Sequence, residues 1–147
     1  MYDIGYLKAM LININKTVNH RMEMNMVIGT GIDIIEVGRI ANASSRPAFM
    51  ERLFTDVERS YFRVKNNDPQ TIAGMFAAKE ASFKALSSGF DSIDWKDIEI
   101  VHDETGKPNV TLHDTATRRM KALGGSEIHI SISHIKELAI AQAILVG

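Results

Sequence analysis

Two carboxylates stand where hydrophobic residues would be expected. Asp33 interrupts the apolar run Val27–Ile35, and Glu80 lies within "FAAKEASFKAL", Phe76–Leu86, with Lys79 and Lys84 beside it. Carboxylates close to a core are rare unless they are paired or bind metal. Two isolated ones from different elements, with lysines at hand, suit Mg²⁺. That ion usually takes one or two protein carboxylates and completes its shell with water and substrate phosphate. The lysines would then meet the remaining phosphate charge as mobile point charges.

The helical projection of Phe76–Leu86 sharpens this. With Ile72 as origin and about 100° per residue, Phe83 falls at about 20°, Phe76 at about 40° and Leu86 at about 320°. These three and Ile72 form the core stripe. Glu80, at about 80°, is on its shoulder among alanines, and Lys84, at about 120°, is its i+4 neighbour. Lys79, at about 340°, lies within the stripe itself. A plainer account is a surface Glu80–Lys84 pair with Lys79 snorkelling outward along its stem.

A third feature is "HISISH", 129–134. Its alternation places Ile130 and Ile132 on one strand face and His129, Ser131 and Ser133 on the other, with His134 emerging on the core side at the strand end. Opposite parity and the lack of a further ligand argue against zinc at His129 and His134. Gly29 and Gly31 lack the third glycine of a dinucleotide fingerprint, since Ile34 occupies its place.

These residues need elements to hold them. Val27–Ile35 reads as a buried strand. Short helices are expected over 36–43 and 48–54. "TDVE", 55–58, is a capping box opening a helix to about Val64. Asp68 followed by Pro69 opens a long helix to about Ser88, closed by Gly89. Ile98–His102 and Asn109–Leu112 flank a turn-rich loop as a hairpin, Thr115–Leu123 is a helix, and "EIHISISH" with "LAIAQAILV" forms a second hairpin. The order gives an α+β fold, an antiparallel sheet with a long helix packed on it.

The 147 residues, 45% hydrophobic and 24% charged, suit one domain over 26–147. Residues 1–25 read as an N-terminal extension: an over-long start or an extra helix. With net charge −1 there is no global field for nucleic acid or an anionic membrane. The absence of cysteine excludes disulfides and thiolate chemistry and fits a cytoplasmic setting. No apolar run approaches the ~20 residues of a membrane-spanning helix.

Taken together, three stretches resemble the holo-[acyl-carrier-protein] synthases, the small 4′-phosphopantetheinyl transferases. They are Gly31-Ile32-Asp33-Ile34 with Arg39-Ile40; Phe76-Ala77-Ala78-Lys79-Glu80-Ala81 with Lys84-Ala85; and Ser131-Ile132-Ser133-His134 with Lys136-Glu137 and Ala139. The resemblance implies the phosphopantetheinyl transferase fold. It implies Mg²⁺-dependent transfer of phosphopantetheine from coenzyme A to a serine of apo acyl carrier protein. The products are the holo carrier and 3′,5′-ADP, in support of fatty acid biosynthesis. It also implies metal ligation by Asp33 and Glu80, catalytic roles for these two and Lys84, coenzyme A contacts from Lys79, Lys84, His134 and Lys136, and a homotrimer with sites between subunits.

An acidic carrier would meet a local basic patch. Arg39–Lys65 holds six basic residues (Arg39, Arg46, Arg52, Arg59, Arg63, Lys65) against three acidic ones, and Arg39, Arg46 and Arg52 are the expected carrier contacts. Met75 stands where the family commonly has arginine, Ile135 and Leu138 replace a hydroxyl residue and a tyrosine, and Ser87-Ser88-Gly89 replaces a more glycine-rich turn. Two other readings use the same residues: a Mg²⁺-dependent nucleotide pyrophosphate hydrolase, or a non-catalytic binder of carrier protein or nucleotide.

Overall fold

A computed structural model describes residues 26–86 and 93–147. The 1–25 extension, the Gly89 helix stop and the Ser87–Gly89 turn lie outside them. Among the described residues, five strands and five α-helices follow the expected order. They are β1 (Val27–Glu36), α1 (Val37–Ser44), α2 (Pro47–Leu53), α3 (Asp56–Val64), α4 (Pro69–Ala85), β2 (Ile98–His102), β3 (Pro108–Leu112), α5 (Asp114–Ala122), β4 (Glu127–His134) and β5 (Leu138–Val146), with a 3₁₀ turn at Trp95–Asp97 before β2.

The helix starts are written in local chemistry. Thr55 and Glu58 complete the capping box of α3: the hydroxyl accepts from the Glu58 amide at 3.2 Å, and the Glu58 carboxylate accepts from the Thr55 amide at 2.8 Å. Asn66 and Asn67, both left-handed at φ 55° and 53°, turn the chain into Asp68. The Asp68 carboxylate caps α4 on the Thr71 amide at 2.8 Å, with Pro69 at the first helical position.

β1, β5 and β4 form one antiparallel sheet in that spatial order, and β2–β3 form a separate hairpin. α4 packs on the three-stranded sheet and is buried almost all round, with 11 of its 17 residues in the core. Small residues make this possible: Ala139, Ala141 and Ala143 of β5 line the inner face under Ala73, Ala77, Ala78 and Ala81 of α4.

One expectation is corrected. Among the described residues β1 is an edge strand with one face toward α4 and the other exposed. Its inner residues alternate with Ile32 and Ile34, which are 58% and 59% exposed. A continuous apolar run does not distinguish a strand buried on both faces from one whose outer face is left open.

Candidate active site

The site begins with glycine. A Cβ on Gly31 would lie 1.9 Å from the Ala81 carbonyl oxygen, and one on Gly29 would lie 2.1 Å from that of Ala85. The β1 backbone therefore rests directly on α4, which only glycine permits. Two residues beyond Gly31 and on the same face, Asp33 meets the helix shoulder carrying Glu80 and Lys84. Lys84 Nζ is 2.9 Å from Asp33 Oδ1 and donates to the Ile32 carbonyl at 2.7 Å. Lys84 thus ion-pairs with Asp33 across the elements rather than with Glu80 along its own helix.

Glu80 is half-buried. Burial pushes its carboxyl above the ordinary glutamate range, the negative charge of Asp33 pushes the same way, and Lys84 opposes them. The electrostatics thus couple the two carboxylates that the sequence singled out, with one cation between them. Among the described residues no cluster of three or more His, Cys, Asp or Glu could hold a metal. Two carboxylates without a third protein ligand are a donor set for an oxygen-seeking divalent ion that keeps water and phosphate in its shell.

Lys79 requires a correction. It is fully buried, its Nζ 2.8 Å from Glu58 Oε2 and donating to the Trp95 carbonyl at 2.9 Å, with the Phe54 ring 5.4 Å away. It presents nothing to a coenzyme A phosphate. The helical projection had already placed it in the stripe, and the capping glutamate is the partner that makes its burial tolerable.

His134 and Lys136 are exposed at the end of β4 and in the turn beyond. With Thr71, Gly74 and Met75 from the first half of α4, His134 lines a cavity of about 210 Å³ that Tyr61, His102, Gly106 and Pro108 close. Met75, 1% exposed, packs its side chain into the core where a guanidinium would reach out. Along α4 the cavity's lining residues Thr71, Gly74 and Met75 lie from about 14 Å down to about 8 Å from Glu80, toward the start of the helix. The structure brings together Asp33, Glu80 and Lys84, and His134 belongs to a different locus.

Sequence reasoning missed two features. Tyr61 and His102 stack at 4.4 Å and 5° between planes, making a flat wall of the His134 cavity. Burial and the Lys65 charge depress the His102 pKa, and its Nδ1 is a buried atom with no hydrogen-bond partner. The second is a cavity of about 480 Å³ lined by Arg46, Phe49, Arg52, Leu53, Phe76 and Trp95. Its signal was present: Arg46, Phe49 and Arg52 recur at three-residue spacing. Arg39, Arg46 and Arg52 are all exposed, whereas Arg59 is paired with Asp56 and, at 3.9 Å, Glu51.

Residues 29–143 match the 4′-phosphopantetheinyl transferase superfamily. A holo-[acyl-carrier-protein] synthase of Alkaliphilus metalliredigens is 52% identical over 81% of this chain and 98% of its own length. One from Clostridium tetani is 47% identical over 83% and 98%. Among solved structures, the holo-(acyl-carrier-protein) synthase of Bacillus anthracis in complex with CoA (3′,5′-ADP) is 37% identical with a TM-score of 0.67, covering 83% of this chain and 98% of that one. That of Neisseria meningitidis reaches a TM-score of 0.75 at 28% identity, over 82% and 98%. With its fold, its order of motifs and these relatives in agreement, the chain is an enzyme that belongs to the 4′-phosphopantetheinyl transferase superfamily, among the holo-[acyl-carrier-protein] synthases.

Proposed function

We propose that the protein transfers 4′-phosphopantetheine from coenzyme A to a serine of an apo acyl carrier protein, using Mg²⁺ held by Asp33 and Glu80. The observation that supports this is the electrostatic linkage of Glu80 on α4 to Asp33 on β1, with Lys84 paired to Asp33 at 2.9 Å. The donor set fits the ion: two carboxylates whose charges oppose each other gain from a divalent cation that screens their repulsion. When bound, Mg²⁺ supplies charge neutralisation at the pyrophosphate.

The protein's own groups do the rest. The carrier's serine Oγ forms a bond to the phosphorus bearing pantetheine, the bond to the bridging oxygen breaks, and 3′,5′-ADP leaves with that oxygen. Positioning and electrostatics dominate such transfers. Lys84, half exposed beside Asp33, is the cation placed to meet a phosphate oxygen of coenzyme A. Glu80, with its raised affinity for protons, is the protein group at the site suited to take the serine proton. The stacked Tyr61–His102 wall and His134 suit the nucleotide end of coenzyme A, and exposed Lys136, two residues beyond His134, is a further candidate contact. Arg39, Arg46 and Arg52 around an apolar cavity suit an acidic helix of the carrier.

The nucleotide cavity and the carboxylates are separated within one chain. The outer sheet face bears exposed Ile32, Ile34 and Ile140, an apolar surface suited to packing against further copies. Both features support a homotrimer in which adjacent subunits complete each site.

Incubation with apo carrier protein, coenzyme A and Mg²⁺ tests the transfer. The expected result is a carrier mass increase of one phosphopantetheine. Release of free phosphopantetheine without carrier modification would instead identify a hydrolase. Asp33→Ala and Glu80→Ala each abolish transfer while circular dichroism stays native; near-normal turnover in either would overturn the metal assignment. Arg39→Ala raises the KM for carrier more than that for coenzyme A, and equal effects would sink the carrier assignment.

A further inference from the structure

The most deeply buried charges of the described residues have no part in the chemistry above. Glu58 and Lys79 are both 0% exposed. A buried ion pair is a weak source of net stability, because desolvation offsets most of its attraction. This one instead gathers four segments. Glu58 Oε2 accepts from the Thr55 amide at 2.8 Å and lies 2.8 Å from Lys79 Nζ, while Glu58 Oε1 accepts from the Ile100 amide at 2.9 Å. Lys79 Nζ donates onward to the Trp95 carbonyl at 2.9 Å. The start of α3, the middle of α4, β2 and the 3₁₀ turn are thereby fixed to one another.

Trp95 is where this connection reaches the surface. Its half-buried ring stacks on Phe76 at 5.4 Å and 19°, meets Phe83 edge-on at 4.9 Å, and with Phe76 walls the arginine-rimmed cavity. Phe76 stacks in turn on Phe49 of α2 at 6.2 Å. On α4, Phe76 and Glu80 are one turn apart, and Lys79 lies between them in sequence, facing inward. A displaced Trp95 would therefore alter the cavity wall without touching Asp33, Glu80 or Lys84.

We propose that Glu58 and Lys79 are positioning residues for carrier-protein docking: Lys79, held by Glu58, fixes the Trp95 backbone and with it the aromatic wall that receives an apolar side chain of the carrier between Arg46 and Arg52. The inference rests on the transferase reading and names the carrier as the cavity's occupant. It separates two functions along one helix, docking at Phe76 and Trp95 and chemistry at Glu80 and Lys84.

The test uses the full chain and its single tryptophan as reporter. Wild-type Trp95 emission is followed on titration with apo carrier protein without coenzyme A, and a saturable change is expected. Absence of any change would overturn the proposal, while turnover in the same preparation would leave the transferase reading standing. Conversely, a Trp95 response without turnover would support docking and count against the transferase reading. The Glu58→Gln/Lys79→Met variant removes both charges and the donor to Trp95. Its carrier KM rises about tenfold, its coenzyme A KM and kcat stay within about twofold of wild type, and Trp95 emission shifts to the red. An unchanged carrier KM, or a parallel rise in both KM values, overturns the proposal. If the double variant fails to fold, Lys79→Gln carries the same expectations, its shorter neutral side chain withdrawing the Nζ donor that the Trp95 carbonyl and Glu58 share. Lys79→Arg, which keeps a cation on Glu58, restores the carrier KM towards wild type.

Discussion

At the scale of single residues, Asp33 within a β-branched strand holds the Lys84 ammonium at 2.9 Å, and its charge acts on Glu80 at the shoulder of the helix stripe. Lys79 is the instructive case. Its angle placed it inside the stripe, which the structure bears out, while its role in coenzyme A binding rested on resemblance alone and is corrected. What the sequence could not disclose was Glu58 as its partner, because a capping-box glutamate ordinarily ends its work at its own helix start. The raised pKa of Glu80 has consequences that can be measured. Burial is the larger cause and the Asp33 charge the second, so Asp33→Asn lowers the Glu80 titration midpoint yet leaves it above the ordinary glutamate value. Carboxyl ¹³C NMR reads this directly, and an unmoved midpoint would separate the two carboxylates. Because the folded pKa exceeds the unfolded one, this group's contribution to metal-free stability is full below the unfolded value and is lost as pH rises through the folded one. Mg²⁺ requires the ionised form, so the rise in Tm on adding Mg²⁺ grows with pH across that same interval. A Mg²⁺ effect that weakened with rising pH there would contradict Glu80 as a ligand.

At the scale of elements, caps and periods carried most of the information. The Thr55 box and the Asp68-Pro69 start fall where their chemistry requires, and both hairpins form as their alternation implies. Removing a cap therefore has a defined cost. Thr55→Ala loses the bond to the Glu58 amide and the hydroxyl contact to Glu99 at 2.6 Å, and lowers stability by about 1–2 kcal/mol in denaturant titration. The closeness of β1 to α4 was less legible, since two glycines in a strand also suit a bulge or a ligand loop. Gly31 exists for that approach. Gly31→Ala forces the strand off the Ala81 carbonyl, lowers stability by about 1–3 kcal/mol, and weakens Mg²⁺ binding by drawing Asp33 away from Glu80. Calorimetric titration with Mg²⁺ checks the second effect. Wild-type affinity in a destabilised Gly31→Ala protein would show that the strand does not set the carboxylate spacing.

At the scale of the whole molecule, two features of the described residues bear on the proposed homotrimer. The cavity with His134 lies toward the start of α4 and Glu80 in its second half, and the outer sheet face leaves Ile32, Ile34 and Ile140 exposed. The sequence held both halves but not their separation, because spacing along a chain does not report which copy supplies a neighbour. A trimer with shared sites makes a sharp prediction. Glu80→Ala and His134→Ala subunits are each nearly inactive alone, yet mixing them in equal amounts after reversible dissociation restores about one quarter of wild-type activity. Random assembly around a closed ring pairs an intact Glu80 with an intact His134 from the next subunit at that frequency. If each site were built within one chain, no mixed assembly would contain an intact site and activity would stay at the level of the parents. Ile34→Lys supplies the companion measurement, since a charge on the outer face leaves the core untouched but is incompatible with burial between copies. Light scattering should find it as a folded monomer without transfer activity. A trimeric Ile34→Lys protein would place the subunit interface on another surface.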